Sequence, residues 1–215
     1  MDPFGDYELV WPAQDHDLNA APQENWSFSD LGWQRQRFGM RGRIMGYRRA
    51  AELLYEAMVT SHSIRDLDTV VFPHVACWRH FVELQLKVLV GKLRALSALP
   101  AEARKHHKID QLWNEVRNLI LEHHPGERDD LENVTRVILQ LAQMDPDGQE
   151  FRYATRTDGT PALPATDRIN LTAFHNAMVG VANYLDAADT GYGELLDTKL
   201  EMDAYNASEF DNQAE

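Results

Sequence analysis

Apolar side chains recur every three or four residues along much of the chain, which is the spacing of amphipathic helices. The first such stretch runs from Arg41 to about Ser61. The second begins near Asp66 or Asp68, either of which can cap a helix, and continues to about Leu99, with Pro73 expected to kink or divide it. The second helix is the longest of the early ones, and we expect it to be central.

Three further segments continue the helical pattern. One spans about Ile109 to His123, where a Pro-Gly pair stops it, and the next runs from about Arg128 to Gln143. Asn170 can cap a last helix, whose apolar side continues to Leu185. Four or five helices and almost no strand predict an all-α bundle.

The remaining segments are irregular. Between the last two helices lies a connection rich in Gly, Pro, Asp and Thr, for which we predict a small hairpin centred on Asp158-Gly159. A connection of this length usually has a function or a docking partner. Residues 1–40 carry Trp11, Trp26 and Trp33 without periodicity, and we expect an arm that packs through its aromatic side chains onto the body or a partner.

The acidic end of the sequence completes the division into domains. Beyond Lys199 there are five acidic residues and no basic one, so we predict a disordered acidic tail over 201–215. The helical domain then covers 41–200 and the N-terminal arm covers 1–40.

Charge and composition exclude several classes of function. Acidic residues outnumber basic ones by 34 to 21, for a net charge of −13, and no basic run is present to neutralise phosphates, so neither extended duplex DNA nor a membrane is an expected partner. The single cysteine, Cys77, rules out a disulfide within the chain and favours a reducing compartment. With no signal-like N-terminus and no apolar run of membrane-spanning length, we expect a cytoplasmic protein.

The central helix carries the first candidate chemistry. On a helical wheel, its charged side chains fall in one wedge of about 100°, and apolar side chains occupy most of the rest. Two interpretations stay open: the wedge is an exposed strip with ordinary i,i+4 ion pairs, or it is the wall of a polar cleft. The residues of the wedge are Arg79, His80, Glu83, Lys87 and Arg94.

The order of motifs along the chain resembles a group of bacterial HEPN-like helical proteins. The stretches that carry the resemblance are FPHVACWRHFVELQLKVLV, then HHKIDQLW, then LENVTRVILQLAQMDPDGQEFRYATRTDGTPALP, followed by a closing amphipathic helix. The likeness covers about Val70 to Leu185, and Ala154 stands where the pattern has proline. It implies an HEPN-like bundle of four to five helices in a bacterial defence or toxin-type system.

Active members of that superfamily are metal-independent endoribonucleases, usually dimeric, with Arg and His four to six residues apart on one helix. In such a pair, His acts as general base or acid on a ribose 2′-hydroxyl, and Arg stabilises the phosphate charge. The matching residues here are Arg117 with His124 or His123, of which His124 lies closer to Arg117 on the helical wheel. A His at a helix end also serves to cap it, so this interpretation stays open beside the catalytic one.

A second candidate site follows the motifs that carry the resemblance. We expect a polar cleft for a phosphate or nucleotide, in which Glu83 orients one of the other groups. The simpler interpretations are that His107 caps a helix or is exposed, and that Arg152 pins its loop through an ion pair. The candidate residues are Arg79, His80, Glu83, Lys87, His107 and Arg152.

Two functions therefore stay open. The first is metal-independent cleavage of single-stranded RNA by a homodimer, and the second is a non-catalytic module that binds a nucleotide or a partner protein to regulate an associated effector. A di-metal site in a helical bundle needs carboxylates and Glu-x-x-His pairs on several helices, so we expect no metal and no other cofactor.

Overall fold

The coordinates are a computed structural model, which describes residues 11–14, 17–18, 29, 31, 39–101, 107–126, 128–162 and 167–213. The chain divides into two compact units, Met1–Phe38 and Gly39–Glu215. Trp26 and Trp33 of the expected arm lie outside the described residues, so the packing of that arm stays a prediction.

The structure confirms the all-α class. Within the described residues, the only β feature is an antiparallel bridge between Thr155 and Pro161, which closes a turn around the predicted Asp158-Gly159 pair. None of the described helices is long and apolar enough to cross a membrane. The five helices are α1 (Arg41–Ser61), α2 (Ile64–Leu96), α3 (Ile109–His123), α4 (Arg128–Met144) and α5 (Leu171–Gln213).

The start of α2 differs from the prediction. Ser63 is the N-cap, and its Oγ accepts the backbone N–H of Asp66 at 3.3 Å. The helix thus begins before Asp66 and Asp68, because a serine hydroxyl satisfies a first-turn donor as well as a carboxylate does. Pro73 lies inside α2, which continues through it without a break between Ile64 and Leu96.

The core is built around α2, as the apolar side chains over most of its circumference predict. This helix packs against α1, α3 and α5, while α4 contacts α3 and α5. Packing on three sides also explains why α2 tolerates an internal proline, since tertiary contacts override local propensity. Fully buried side chains of α2 at the centre of the core are Trp78, Phe81, Leu86, Leu89 and Leu93.

The C-terminal tail differs from the predicted disorder, because α5 continues as far as Gln213. Pairs at i,i+4 spacing support the helix on its surface: Lys199 Nζ lies 3.0 Å from Asp203 Oδ2, and the Tyr205 hydroxyl donates to Glu209 at 2.8 Å. The excess of acids that suggested disorder is spread along one helix whose side chains are exposed from Leu200 to Glu209.

A buried histidine joins α1 to α2. The His74 side chain is fully buried, and its Nδ1 lies 2.9 Å from the Ala51 carbonyl. Since a carbonyl only accepts, Nδ1 carries the proton. Burial lowers the pKa of His74 from 6.5 to about 4, against the raising effect of the Ala51 hydrogen bond.

This pKa predicts a loss of stability in mild acid. Between pH 6.5 and 4, the unfolded chain protonates His74 while the folded protein keeps it neutral, so the free energy of unfolding falls with pH, by about 3 kcal/mol at pH 4. His74→Gln keeps a donor for the Ala51 carbonyl but does not titrate. Urea unfolding from pH 7 to 4.5 should show a smaller decline for this variant than for the wild type; equal declines would contradict the assignment.

Candidate functional site

Arg79 and Glu83 of α2 form a buried ion pair one helical turn apart. Only 2% of Arg79 and 3% of Glu83 is exposed, and Arg79 Nη1 donates to Glu83 Oε2 at 2.9 Å. The charged wedge of α2 is therefore a polar wall inside the protein rather than an exposed strip. A buried charge needs a partner for each donor and acceptor, and the surroundings of the pair supply them.

The other donors of Arg79 bind main-chain carbonyls of two distant segments. Nε donates to the Asp145 carbonyl at 2.9 Å, and Nη2 donates to the His107 carbonyl at 2.5 Å and to the Pro146 carbonyl at 3.4 Å. One guanidinium thus connects α2 to the segment before α3 and to the loop after α4. Arg79 acts here as a structural tie rather than as a free cation.

Glu83 uses its second oxygen for two further donors. Lys87 Nζ and His107 Nδ1 each lie 2.8 Å from Glu83 Oε1. Burial alone would raise the pKa of Glu83, but the hydrogen bonds and charges of Lys87 and His107 outweigh it and hold this pKa at about 2. Glu83 is therefore ionised at neutral pH.

His107 is held at both its backbone and its ring. Arg79 binds its carbonyl and Glu83 binds Nδ1, while 61% of its side chain remains exposed. Because an ionised carboxylate can only accept, Nδ1 carries a proton, and Nε2 is left as the atom available to a ligand. The His107 side chain is thus largely exposed, as one simpler interpretation had it, and it also binds Glu83; the N-cap of α3 is Lys108 and not His107.

The loop after α4 completes the site. Gly148 has φ of +83°, and a Cβ there would lie 3.0 Å from Arg152 Nη2 and 3.4 Å from Arg79 Nη1, so glycine is favoured on conformational and steric grounds. Arg152 Nε donates to the Gly148 carbonyl. The ion pair that pins this loop is formed by Arg156 with buried Glu150, and not by Arg152 as one interpretation had it.

These segments enclose a cleft of about 500 Å³ between α1, α2 and the loop after α4. Five of the six residues predicted from the sequence line it, and Lys87 lies behind Glu83. Its polar lining comprises His80, Glu83, His107 and Arg152. Its apolar and aromatic lining comprises Tyr47, Phe72, Pro73, Ala76, Cys77 and Phe151.

His80 is the second histidine of this cleft. Its ring contacts Tyr47 edge-on, with centroids 4.3 Å apart. Burial lowers the pKa of His80, the Glu83 charge opposes this, and the positive charges of Arg152, Arg79 and Lys87 lower the pKa further. His80 is therefore neutral at pH 7, in a field to which three cations contribute.

The other predicted pair lies elsewhere. His123 Nε2 is 2.9 Å from Ser97 Oγ, and the His124 backbone N–H caps α3 by donating to the Ile120 carbonyl at 2.7 Å. Among the hydrogen bonds and ion pairs of the described residues, none joins Arg117 to either histidine. The side chain of His124 lines a separate groove beside α5.

Several cleft residues were missed by sequence reasoning. Tyr47 and Phe72 read as ordinary apolar positions of amphipathic helices, since nothing local distinguishes a cleft wall from a core face. Asp145 and Gly148 had a signal: an Asp-Pro-Asp-Gly run directly after a helix marks a tight turn with a left-handed residue. The turn that carries Asp145 and Gly148 could therefore have been predicted from the sequence.

Comparison with known proteins finds no matching family model, no matching curated protein and no matching solved structure. The HEPN-like resemblance therefore stays an expectation from the sequence motifs. Among the described residues, no group of three or more His, Cys, Asp or Glu side chains is placed to hold a metal ion.

Neutralising Glu83 should destabilise the fold strongly. In Glu83→Gln, the buried guanidinium of Arg79 loses its carboxylate, and we expect a loss of about 3 kcal/mol in the free energy of unfolding. Asp203→Asn, which removes the carboxylate of the exposed Lys199 pair, should cost less than about 0.5 kcal/mol. Urea unfolding at pH 7 measures both, and equal small losses would show that the buried network contributes little.

Alanine variants of two glycines with the same backbone angle distinguish the cost of left-handed backbone strain from the cost of steric crowding. Gly148 and Gly159 both have φ of +83°, but a Cβ at Gly159 meets nothing within 4 Å. Gly159→Ala should cost only the left-handed strain, about 1 kcal/mol. Gly148→Ala should lose more in urea unfolding, because the methyl group also displaces the Arg152 guanidinium; equal losses would contradict the close packing.

Proposed function

We propose that the cleft beside α2 binds a small phosphate-bearing ligand of the nucleotide class. The protein would then act as an HEPN-like module that regulates an associated effector in a bacterial defence or toxin-type system. The observation that carries the proposal is that Arg152, His80 and His107 line one cleft together with aromatic and apolar side chains. A nucleotide needs this combination of an anion site and a surface for its ring.

The aromatic lining supports the ring of such a ligand. Phe72 and Phe151 both line the cleft, with centroids 6.2 Å apart and planes tilted by 49°, and Phe72 is 38% exposed. Bases pack on aromatic faces with little dependence on their identity. A cavity of about 500 Å³ also falls within the usual range of small-molecule sites, roughly 300–1,000 Å³.

The polar lining supports the phosphate. Arg152 is exposed, and its Nε is held by the Gly148 carbonyl, whereas no described hydrogen bond or ion pair uses its Nη atoms. Arg79, by contrast, uses its donors in hydrogen bonds within the protein. Arg152 is thus the cation placed to bind a phosphate through charge-assisted hydrogen bonds, and His107 adds a second contact when its Nε2 also carries a proton to donate.

Calorimetric titration with the four nucleoside monophosphates, with adenosine and with inorganic phosphate tests this proposal. At least one monophosphate should bind more tightly than adenosine or phosphate. Arg152→Ala should weaken its affinity about tenfold or more, since a hydrogen bond to a charged group contributes about 1.5–3 kcal/mol. Arg136→Ala, on exposed α4 surface, should leave the affinity unchanged. Failure of all four monophosphates to bind would contradict the proposal.

A second function is favoured by the Glu83–His107 hydrogen bond, which resembles the carboxylate-oriented histidine of general acid–base catalysis. We propose it as the alternative: cleavage of RNA at this cleft rather than at Arg117. Neutral His80 would take the 2′-hydroxyl proton, the 2′-oxygen would attack phosphorus, and the bond to the 5′-oxygen would break. His107, with a proton on both ring nitrogens, would donate its Nε2 proton to that oxygen, leaving a 2′,3′-cyclic phosphate and a 5′-hydroxyl.

RNA cleavage in EDTA distinguishes the functions. If the cleft is catalytic, His107→Gln and His80→Gln should lower the rate at least about 100-fold, the usual contribution of a general acid or base. Arg117→Ala and His124→Gln should not change it; the reverse pattern would assign catalysis to the helix α3 pair. Nucleotide binding without cleavage by the wild type would leave the regulatory module as the function.

A further inference from the structure

A second concave site lies between α4 and α5. Its volume is about 380 Å³, within the usual range of small-molecule sites, roughly 300–1,000 Å³. It shares no lining residue with the cleft beside α2. We call it the α4–α5 groove, and its apolar lining includes Val137, Leu141, Met144, Phe174, Ala177 and Met178.

The apolar lining extends the hydrophobic core to the surface. Leu141 and Met178 are core residues, with only 2% and 1% exposed, whereas Val137, Met144 and Phe174 are partly buried and pack against the core. A ligand in the groove removes the remaining apolar surface of these side chains from water, which favours an apolar ligand. Methionine side chains are unbranched and flexible, so they adapt to a flexible aliphatic chain.

Arg136 and Gln140 supply the polar part of the groove. Both are exposed, and they lie one turn apart on α4, so their N–H donors are neighbours on one face of the helix. Within the described part of the chain, no hydrogen bond or ion pair uses either side chain, and Glu132, one turn before Arg136, forms none with it.

The charge of the lining is opposite to that of the chain as a whole. Acidic residues outnumber basic ones by 34 to 21, yet the described residues that line the groove include an arginine and no carboxylate. A guanidinium matches a carboxylate in geometry and charge, because two parallel N–H donors face two oxygens. The groove thus combines an apolar surface with an anion contact at exposed Arg136.

We propose that the α4–α5 groove binds an aliphatic carboxylate of the fatty-acid class. The carboxylate contacts Arg136 and Gln140, and the hydrocarbon chain lies against the apolar lining. Because Arg136 is exposed, the carboxylate gains a cationic partner without being buried as an unpaired charge. The proposal is independent of the nucleotide proposed for the cleft, since the two sites have no lining residue in common.

Calorimetric titration at pH 8 tests the chemistry of the ligand on the full chain, with each probe below its micelle concentration. Octanoate should bind more tightly than octanol or octylamine, because neither of these supplies an anion to Arg136. Octanoate should also bind more tightly than hexanoate, by about fourfold for each CH₂ that the groove buries. Failure of octanoate to bind, or tighter binding of octylamine, would overturn the proposal.

Methionine methyl groups report where octanoate binds. In protein labelled with carbon-13 at the methionine methyl groups, octanoate should shift the signals of Met144 and Met178. The signal of Met58, a buried methionine of α1 outside the groove, should stay in place. Shifts at Met58 without shifts at Met144 and Met178 would place the ligand elsewhere and contradict the assignment.

Two variants test the two parts of the groove. Arg136→Ala should weaken octanoate binding about fivefold or more, whereas Arg49→Ala, a loss of an exposed arginine on α1, should not change it. Ala177→Phe fills the groove and should abolish binding, while far-ultraviolet circular dichroism reports whether the variant is folded. Octanoate affinity that Arg136→Ala leaves unchanged, or that a folded Ala177→Phe protein retains, would refute the site.

Discussion

The buried Arg79–Glu83 ion pair is the interaction on which the described arrangement of the site depends. Arg79 ties the segment before α3 and the loop after α4 to α2 through their carbonyls. Glu83 holds Lys87 and the His107 ring. Because burying either charge alone would cost several kcal/mol, the pair and its ties form together or not at all. The polar wall of the cleft follows from that requirement.

The same network distinguishes side chains that are used in protein contacts from side chains that a ligand can contact. The donors of Arg79 and both oxygens of Glu83 are used within the protein, so these residues shape the cleft without offering themselves to a ligand. Arg152 and His107 line the cleft, where the Gly148 carbonyl and Glu83 hold them. In the proposed function, recognition of an anion falls to these two side chains, and affinity depends on the buried ion pair that holds their segments in place.

The fold was largely predictable, because helical periodicity is a local signal. The bounds of α3 and the all-α class follow from spacing and from the Pro-Gly stop. The N-cap of α2 was missed because Ser63 and Asp66 are equally good caps in sequence, and the helical tail because composition does not report i,i+4 pairing.

The site was predictable only in part. Charges at turn spacing on an apolar helix suggested a cleft. An exposed charged face and a buried one give the same pattern on a helical wheel, however, and only tertiary contacts distinguish them. The aromatic wall had no local signal, since Tyr47 and Phe151 reach the cleft from segments far apart in the sequence. The tie between Arg79 and the His107 carbonyl involves a backbone atom, which no side-chain pattern can indicate.

The tautomer of His107 tests the central claim most directly. Long-range proton–nitrogen correlation spectra of the nitrogen-15-labelled protein at pH 7 to 8 report which ring nitrogen is protonated. The network predicts a proton on Nδ1, held by the Glu83 carboxylate, and its loss from Nδ1 in Glu83→Ala. A neutral ring protonated on Nε2 alone in the wild type would contradict the account.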